Sequence, residues 1–114
     1  MYSIPGNPTR PEEGKIAGDN TPSQFGISAV YPNPFNSSAK IQFSLPSGGS
    51  ATVVIYDLLG AKVATLIDRD IQQGDYSVTW NAKTDEGEDV PSGVYFCKLQ
   101  SGDERATQKI TLLR

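Results

Sequence analysis

The chain has 114 residues, 37% of them hydrophobic, and a net charge of −3, enough for one modest core within a single domain of ordinary size. Scattered Lys and Arg and an acidic pI near 4.8 argue against a nucleic-acid partner, and no apolar run approaches the roughly 20 residues needed to cross a bilayer. With no histidine and a single cysteine, the chain has no intramolecular disulfide, no Ser-His or Cys-His triad and no imidazole metal ligand.

Residues 1–24 carry Pro5, Pro8, Pro11 and Pro22 with Gly6, Gly14 and Gly18 between them. They lack periodicity and read as a linker, so the domain boundary is set at residues 1–26 for the tail and 27–114 for the folded part. No secretory apolar region stands in the first 20 residues, so the chain is either cytosolic as written or, the preferred reading, the tail of a longer exported protein. Residues 25–31 (F-G-I-S-A-V-Y) read as a first short strand. Tyr31-Pro32-Asn33-Pro34-Phe35-Asn36 follows, and its two prolines rule out a central strand. It reads as a rigid corner anchored by Tyr31 and Phe35, with Asn33 and Asn36 bonding nearby backbone.

Residues 39–45 alternate, with Ile41, Phe43 and Leu45 inward and Lys40, Gln42 and Ser44 outward. Pro46-Ser47-Gly48-Gly49 makes a turn. Residues 49–81 form the central unit, two strands joined by a tight turn and a third strand ending in the only tryptophan. Ala51, Val53 and Ile55 alternate with Thr52, Val54 and Tyr56. In Asp57-Leu58-Leu59-Gly60 the aspartate suits the first turn position and Gly60 a positive φ. Residues 62–67 return as the partner strand, and Tyr76, Val78 and Trp80 recur at period two. Other strands are expected to cover this unit's apolar face.

Residues 81–91 are the longest loop and hold Asp85, Glu86, Glu88 and Asp89 around Gly87. These are candidate calcium ligands, but the run lacks the twelve-residue EF-hand pattern, and a solvated acidic loop is the preferred reading. Ser92-Gly93 leads into residues 94–100, with Tyr95, Cys97 and Leu99 facing the core. Cys97 reads as a small buried apolar residue. A turn at residues 101–104 precedes the last strand, 105–113, with Ala106, Gln108, Ile110 and Leu112 on one face.

About seven short strands, frequent turn signals and no helical stretch predict an all-β, antiparallel, Ig-like β-sandwich with an extended N-terminal tail. Its structural positions are Ile41, Phe43, Val53, Ile55, Gly60, Trp80, Gly93, Tyr95 and Leu99. The Cys…Trp…Cys signature of a true immunoglobulin domain is absent.

Five segments in order resemble a known family. They are Tyr31-Pro32-Asn33-Pro34-Phe35-Asn36, Val54-Ile55-Tyr56-Asp57-Leu58-Leu59-Gly60, Trp80-Asn81, Ser92-Gly93-Val94-Tyr95-Phe96 and Lys109-Ile110-Thr111-Leu112-Leu113-Arg114. Together they resemble the type A C-terminal sorting domain of the bacterial type IX secretion system, related to the Ig-like domain of flagellar hook-capping proteins. The resemblance covers residues 27–114. It implies a non-catalytic signal, without cofactor, at the C-terminus of an exported protein bound for the cell surface or beyond. The implied partners are the outer-membrane secretion machinery and a surface sortase that cleaves upstream, within residues 18–28. The implied recognition residues are Tyr31, Pro32, Asn33, Pro34 and Phe35 in the corner and Lys109, Ile110, Leu112 and Arg114 at the end.

Two other readings compete with it. A homo-oligomeric structural subunit would donate its tail or a strand to a neighbour. An accessory carbohydrate-binding module would use Trp80, Tyr76 and Tyr56 as stacking platforms. An enzyme is not expected, for want of a nucleophile elbow, phosphate loop or metal motif.

Overall fold

Alternation of more and less buried residues runs through Ala39–Leu45, Gly74–Trp80 and Gly93–Ser101. In the computed structural model the described residues are 24–114. The linker reading of the first 23 residues lies outside them, as does most of the expected cleavage segment. Seven strands follow in order: β1 (Gly26–Tyr31), β2 (Ala39–Leu45), β3 (Gly49–Asp57), β4 (Lys62–Ile71), β5 (Gly74–Trp80), β6 (Gly93–Ser101) and β7 (Glu104–Leu112). They pair antiparallel in two sheets, β1-β2-β5 and β4-β3-β6-β7, packed as an all-β sandwich.

Each sheet turns one row of side chains inward. Ala39, Ile41, Phe43 and Leu45 of β2 meet Ala51, Val53 and Ile55 of β3 and Tyr95, Cys97 and Leu99 of β6 in one core. Ile110 and Leu112 of β7 complete it. A side chain of this size, fully buried, contributes about 1.5–3 kcal/mol by leaving water. Gln108 lies on the inward row of β7 yet stays exposed, because β7 is the outermost strand of its sheet.

Two features depart from the sequence reading. The return strand of the hairpin runs on to Ile71, which is buried opposite Gly49, where a strand ending at residue 67 was expected. The third strand of the central unit does not stay with it. β5 crosses to the other sheet and pairs with β2, setting Trp80, Val78 and Tyr76 opposite Ala39, Ile41 and Phe43. The unit therefore covers part of its own apolar face. The inward rows of β5 and β2 are both apolar, so pairing them extends one continuous surface toward the core.

Candidate recognition end

The corner that follows β1 is fastened to the last strand. The Asn33 side chain works there as a piece of strand. Its Nδ2 donates to the Lys109 carbonyl at 3.0 Å, and its Oδ1 accepts from the Thr111 N–H at 3.0 Å. Phe35 continues the contact through its backbone. Its N–H donates to the Thr111 carbonyl at 2.9 Å, and its carbonyl accepts from the Leu113 N–H at 2.8 Å, a parallel bridge to β7. Both proline bonds of the corner, Tyr31-Pro32 and Asn33-Pro34, are cis, and each proline ring fixes its own φ.

Beneath the corner lies an aromatic cluster. Phe35 is buried and its ring sits 5.6 Å from Trp80, whose other side meets the Tyr95 ring edge-on at 5.3 Å. The polar atoms are provided for, since the Trp80 indole N–H donates to the Lys83 carbonyl and the Tyr95 hydroxyl to the Pro91 carbonyl. Burial holds the Tyr95 hydroxyl above the usual phenol range, with the Asp57 charge adding to the effect.

Arg114 closes the same end. Its Nε donates to the Val90 carbonyl at 2.8 Å and its Nη2 to the Ala82 carbonyl at 3.0 Å. Its backbone N–H donates to the Ser92 hydroxyl. The guanidinium fork thus ties the chain's last residue to the acidic loop. Within that loop Asp89 pairs with Lys83 at 2.7 Å, and that hydrogen bond and charge hold its carboxyl below the usual range. Asp85 accepts from the Thr65 N–H of β4. Glu86 and Glu88 stay exposed, and among the described residues no group of three or more acidic or thiol side chains is placed to hold a metal ion.

The hairpin turn also lies here, since Asp57 pairs with Tyr95 and Tyr95 with Ile110. One Asp57 carboxylate oxygen accepts from the N–H groups of Leu59 and Ala61, and Gly60 adopts φ +88°. The turn holds its two leucines out to water, Leu58 at 68% exposure and Leu59 at 94%. Leu113 is also exposed, and Tyr31 faces solvent with the Lys40 ammonium 5.9 Å from its ring centre.

All five segments singled out in the sequence therefore meet at one end of the sandwich. Tyr31, Pro32, Asn33, Pro34, Lys109 and Arg114 are exposed there, whereas Phe35, Ile110 and Leu112 are buried and hold the end together from within. Sequence reasoning treated Leu58 and Leu59 as turn residues only. The missed signal was two large apolar side chains in a tight turn that has no packing use for them. Trp80, at 2% exposure, is no surface platform, and Tyr76 stacks on Phe43 with its hydroxyl bonded to Gln72. Cys97 is buried, which pushes its thiol up to about 12 and leaves it unreactive at neutral pH.

The family model of the secretion system C-terminal sorting domain matches residues 29–112. The chain belongs to that family. The match takes in all five segments apart from the last two residues of the closing one, and it makes this domain a sorting signal of the type IX secretion system, for export to the cell surface or the extracellular space. Two solved structures share the fold. Dimeric latent PorU from Porphyromonas gingivalis aligns with a TM-score of 0.59 at 19% identity, over 76% of this chain and 9% of that one. PorZ, described as an essential surface component of the type IX secretion system of the same organism, aligns at 0.52 and 23% identity, over 77% and 11%. This chain thus spans about a tenth of the length of either protein. No curated protein matches the sequence. Among the described residues, no helix is long and apolar enough to cross a membrane.

Proposed function

We propose that this is a non-catalytic sorting domain, read as a folded body by outer-membrane secretion machinery through the end where the five segments meet. The domain proper is residues 27–114, and residues 1–26 link it to cargo. A surface sortase would cut within residues 18–28 once the cargo has crossed. The observation that carries the reading is the convergence itself. Leu58, Leu59, Leu113 and Tyr31 are displayed on a frame of buried aromatics and bonded backbone. A solvated turn has no folding use for Leu58 and Leu59, and exposed apolar clusters on stable frames mark contact sites. Phe25 enters beside Pro46 and Glu104 at the opposite end, away from the corner and the Leu58–Leu59 turn.

The test is to fuse the full chain to a periplasm-directed reporter in a bacterium that carries the type IX machinery. The expected result is reporter at the surface or in the medium, lost when the machinery is deleted. Reporter retained in the periplasm of the intact strain would overturn the reading.

A further inference from the structure

β7 is an edge strand, and its edge is only half closed. The bonds from Asn33 and Phe35 show that Thr111 turns its N–H and carbonyl away from β6. Backbone direction alternates along an antiparallel strand, so Arg105, Thr107 and Lys109 turn the same way. The corner takes up Thr111, the Lys109 carbonyl and the Leu113 N–H. The Lys109 N–H and both backbone groups of Thr107 and Arg105 have no ladder partner among the described residues. β1 passes close to β7 from the other sheet but forms no ladder with it.

The side chains along this open stretch are basic. Direct pairs share a face, so Arg105, Thr107 and Lys109 lie on the outer face with Gln100, Lys98 and Phe96 of β6. Arg105 and Lys109 are exposed, and among the described residues no carboxylate pairs with Arg105, Lys98 or Lys109. The acidic side chains of this hairpin, Asp103 and Glu104, stand at its tip beside Arg105, with Glu104 on the opposite face of β7 from Arg105 and Lys109. In a chain of net charge −3, this edge is a local positive site.

The geometry points to an acidic, extended segment of a partner protein that adds to β7 as an antiparallel strand across Arg105, Thr107 and Lys109. The inference rests on the sorting reading and gives that partner's chemistry. Asn33 sets the limit of the added strand, because its amide already fills the edge beyond Lys109. Only alternate residues of the added strand reach the outer face, so acidic residues opposite Arg105 and Lys109 stand four apart. A small or hydroxyl residue lies midway, opposite Thr107. Main-chain bonds supply the attraction and the two charges supply register.

The test is a titration of the labelled full chain with a blocked peptide, Thr-Glu-Val-Thr-Val-Glu-Thr, followed by amide resonances. The expected result is shifts and slowed hydrogen exchange at Arg105, Thr107 and Lys109, weakening as salt rises. A peptide with both glutamates replaced by lysine should bind about tenfold more weakly, and Arg105→Glu with Lys109→Glu should reverse that preference. Thr107→Pro removes an edge N–H that takes no part in the ladder to β6, and should abolish binding. Should that variant fail to fold, the charge reversal decides. Absent binding, shifts confined elsewhere or equal affinity for both peptides would overturn the proposal. In the reporter fusion, normal export by both variants would overturn the edge's part in sorting and leave the sorting reading intact. Failure of the unaltered fusion to leave the periplasm would overturn the sorting reading, and the titration would then decide the edge alone.

Discussion

Asn33 shows how one side chain can substitute for a strand. A carboxamide has the same donor and acceptor as a peptide unit, so it satisfies an edge that would otherwise bind water or a neighbour. Asn33→Ala should cost about 1 kcal/mol, because both bonds lie in partly solvated surroundings. The check is a denaturant midpoint, with amide exchange at Thr111 rising more than the global change requires. Trp80→Ala should cost about 3–5 kcal/mol, since it leaves a cavity between Phe35 and Tyr95 and strands the Lys83 carbonyl. The buried groups also fix a pH response. Cys97 titrates near 9 when unfolded and is raised to about 12 in the fold. Its raised value stabilises the fold fully below pH 9 and is progressively lost as pH rises toward 12. Tyr95, raised by burial, acts in the same direction. Denaturation at stepped pH should show stability falling from about pH 9 upward, with a shallower fall in Cys97→Ala.

At the scale of elements, the β3–β4 hairpin is the feature most legible from sequence. An aspartate whose carboxylate can reach forward N–H groups, followed by a glycine at positive φ, states the turn in four letters, and the structure has both. Gly60→Ala should cost about 1–2 kcal/mol, since φ +88° crowds a Cβ against the backbone, and thermal unfolding would read it. Strand identity was legible in the same way, from period-two alternation in β2, β3 and β6. Pairing was not. That β5 leaves its sequence neighbours for β2 depends on which apolar rows match across long separations, and alternation alone carries no such information. The corner was legible as a corner because two prolines forbid a ladder. Its fastening to β7 was hidden, because the residues it joins stand 76 and 78 positions apart. The role of Arg114 was hidden for a similar reason, as its partners are backbone carbonyls with no side-chain signature.

The two ends of the described sandwich differ, with Phe25 beside Pro46 and Glu104 at one and the corner, the Leu58–Leu59 turn and the braced Arg114 at the other. The acidic loop belongs to the bracing, since its backbone carbonyls and two of its carboxylates are spent on Trp80, Tyr95, Arg114, Lys83 and Thr65. A sorting signal of this kind should act as a monomer. Light scattering over a concentration series should give 12.3 kDa throughout, and open-ended assemblies would instead favour the self-assembling reading. Because Leu58 and Leu59 are exposed, Leu58→Ser with Leu59→Ser should change stability by no more than about 0.5 kcal/mol. The most direct test of the account compares that pair with Pro46→Ala and Ser47→Ala at the opposite end, each in the reporter fusion and each confirmed folded by its melting curve. The account predicts that export fails for the leucine pair and persists for the far-end pair. Equal export by both, with the fold intact, would contradict it.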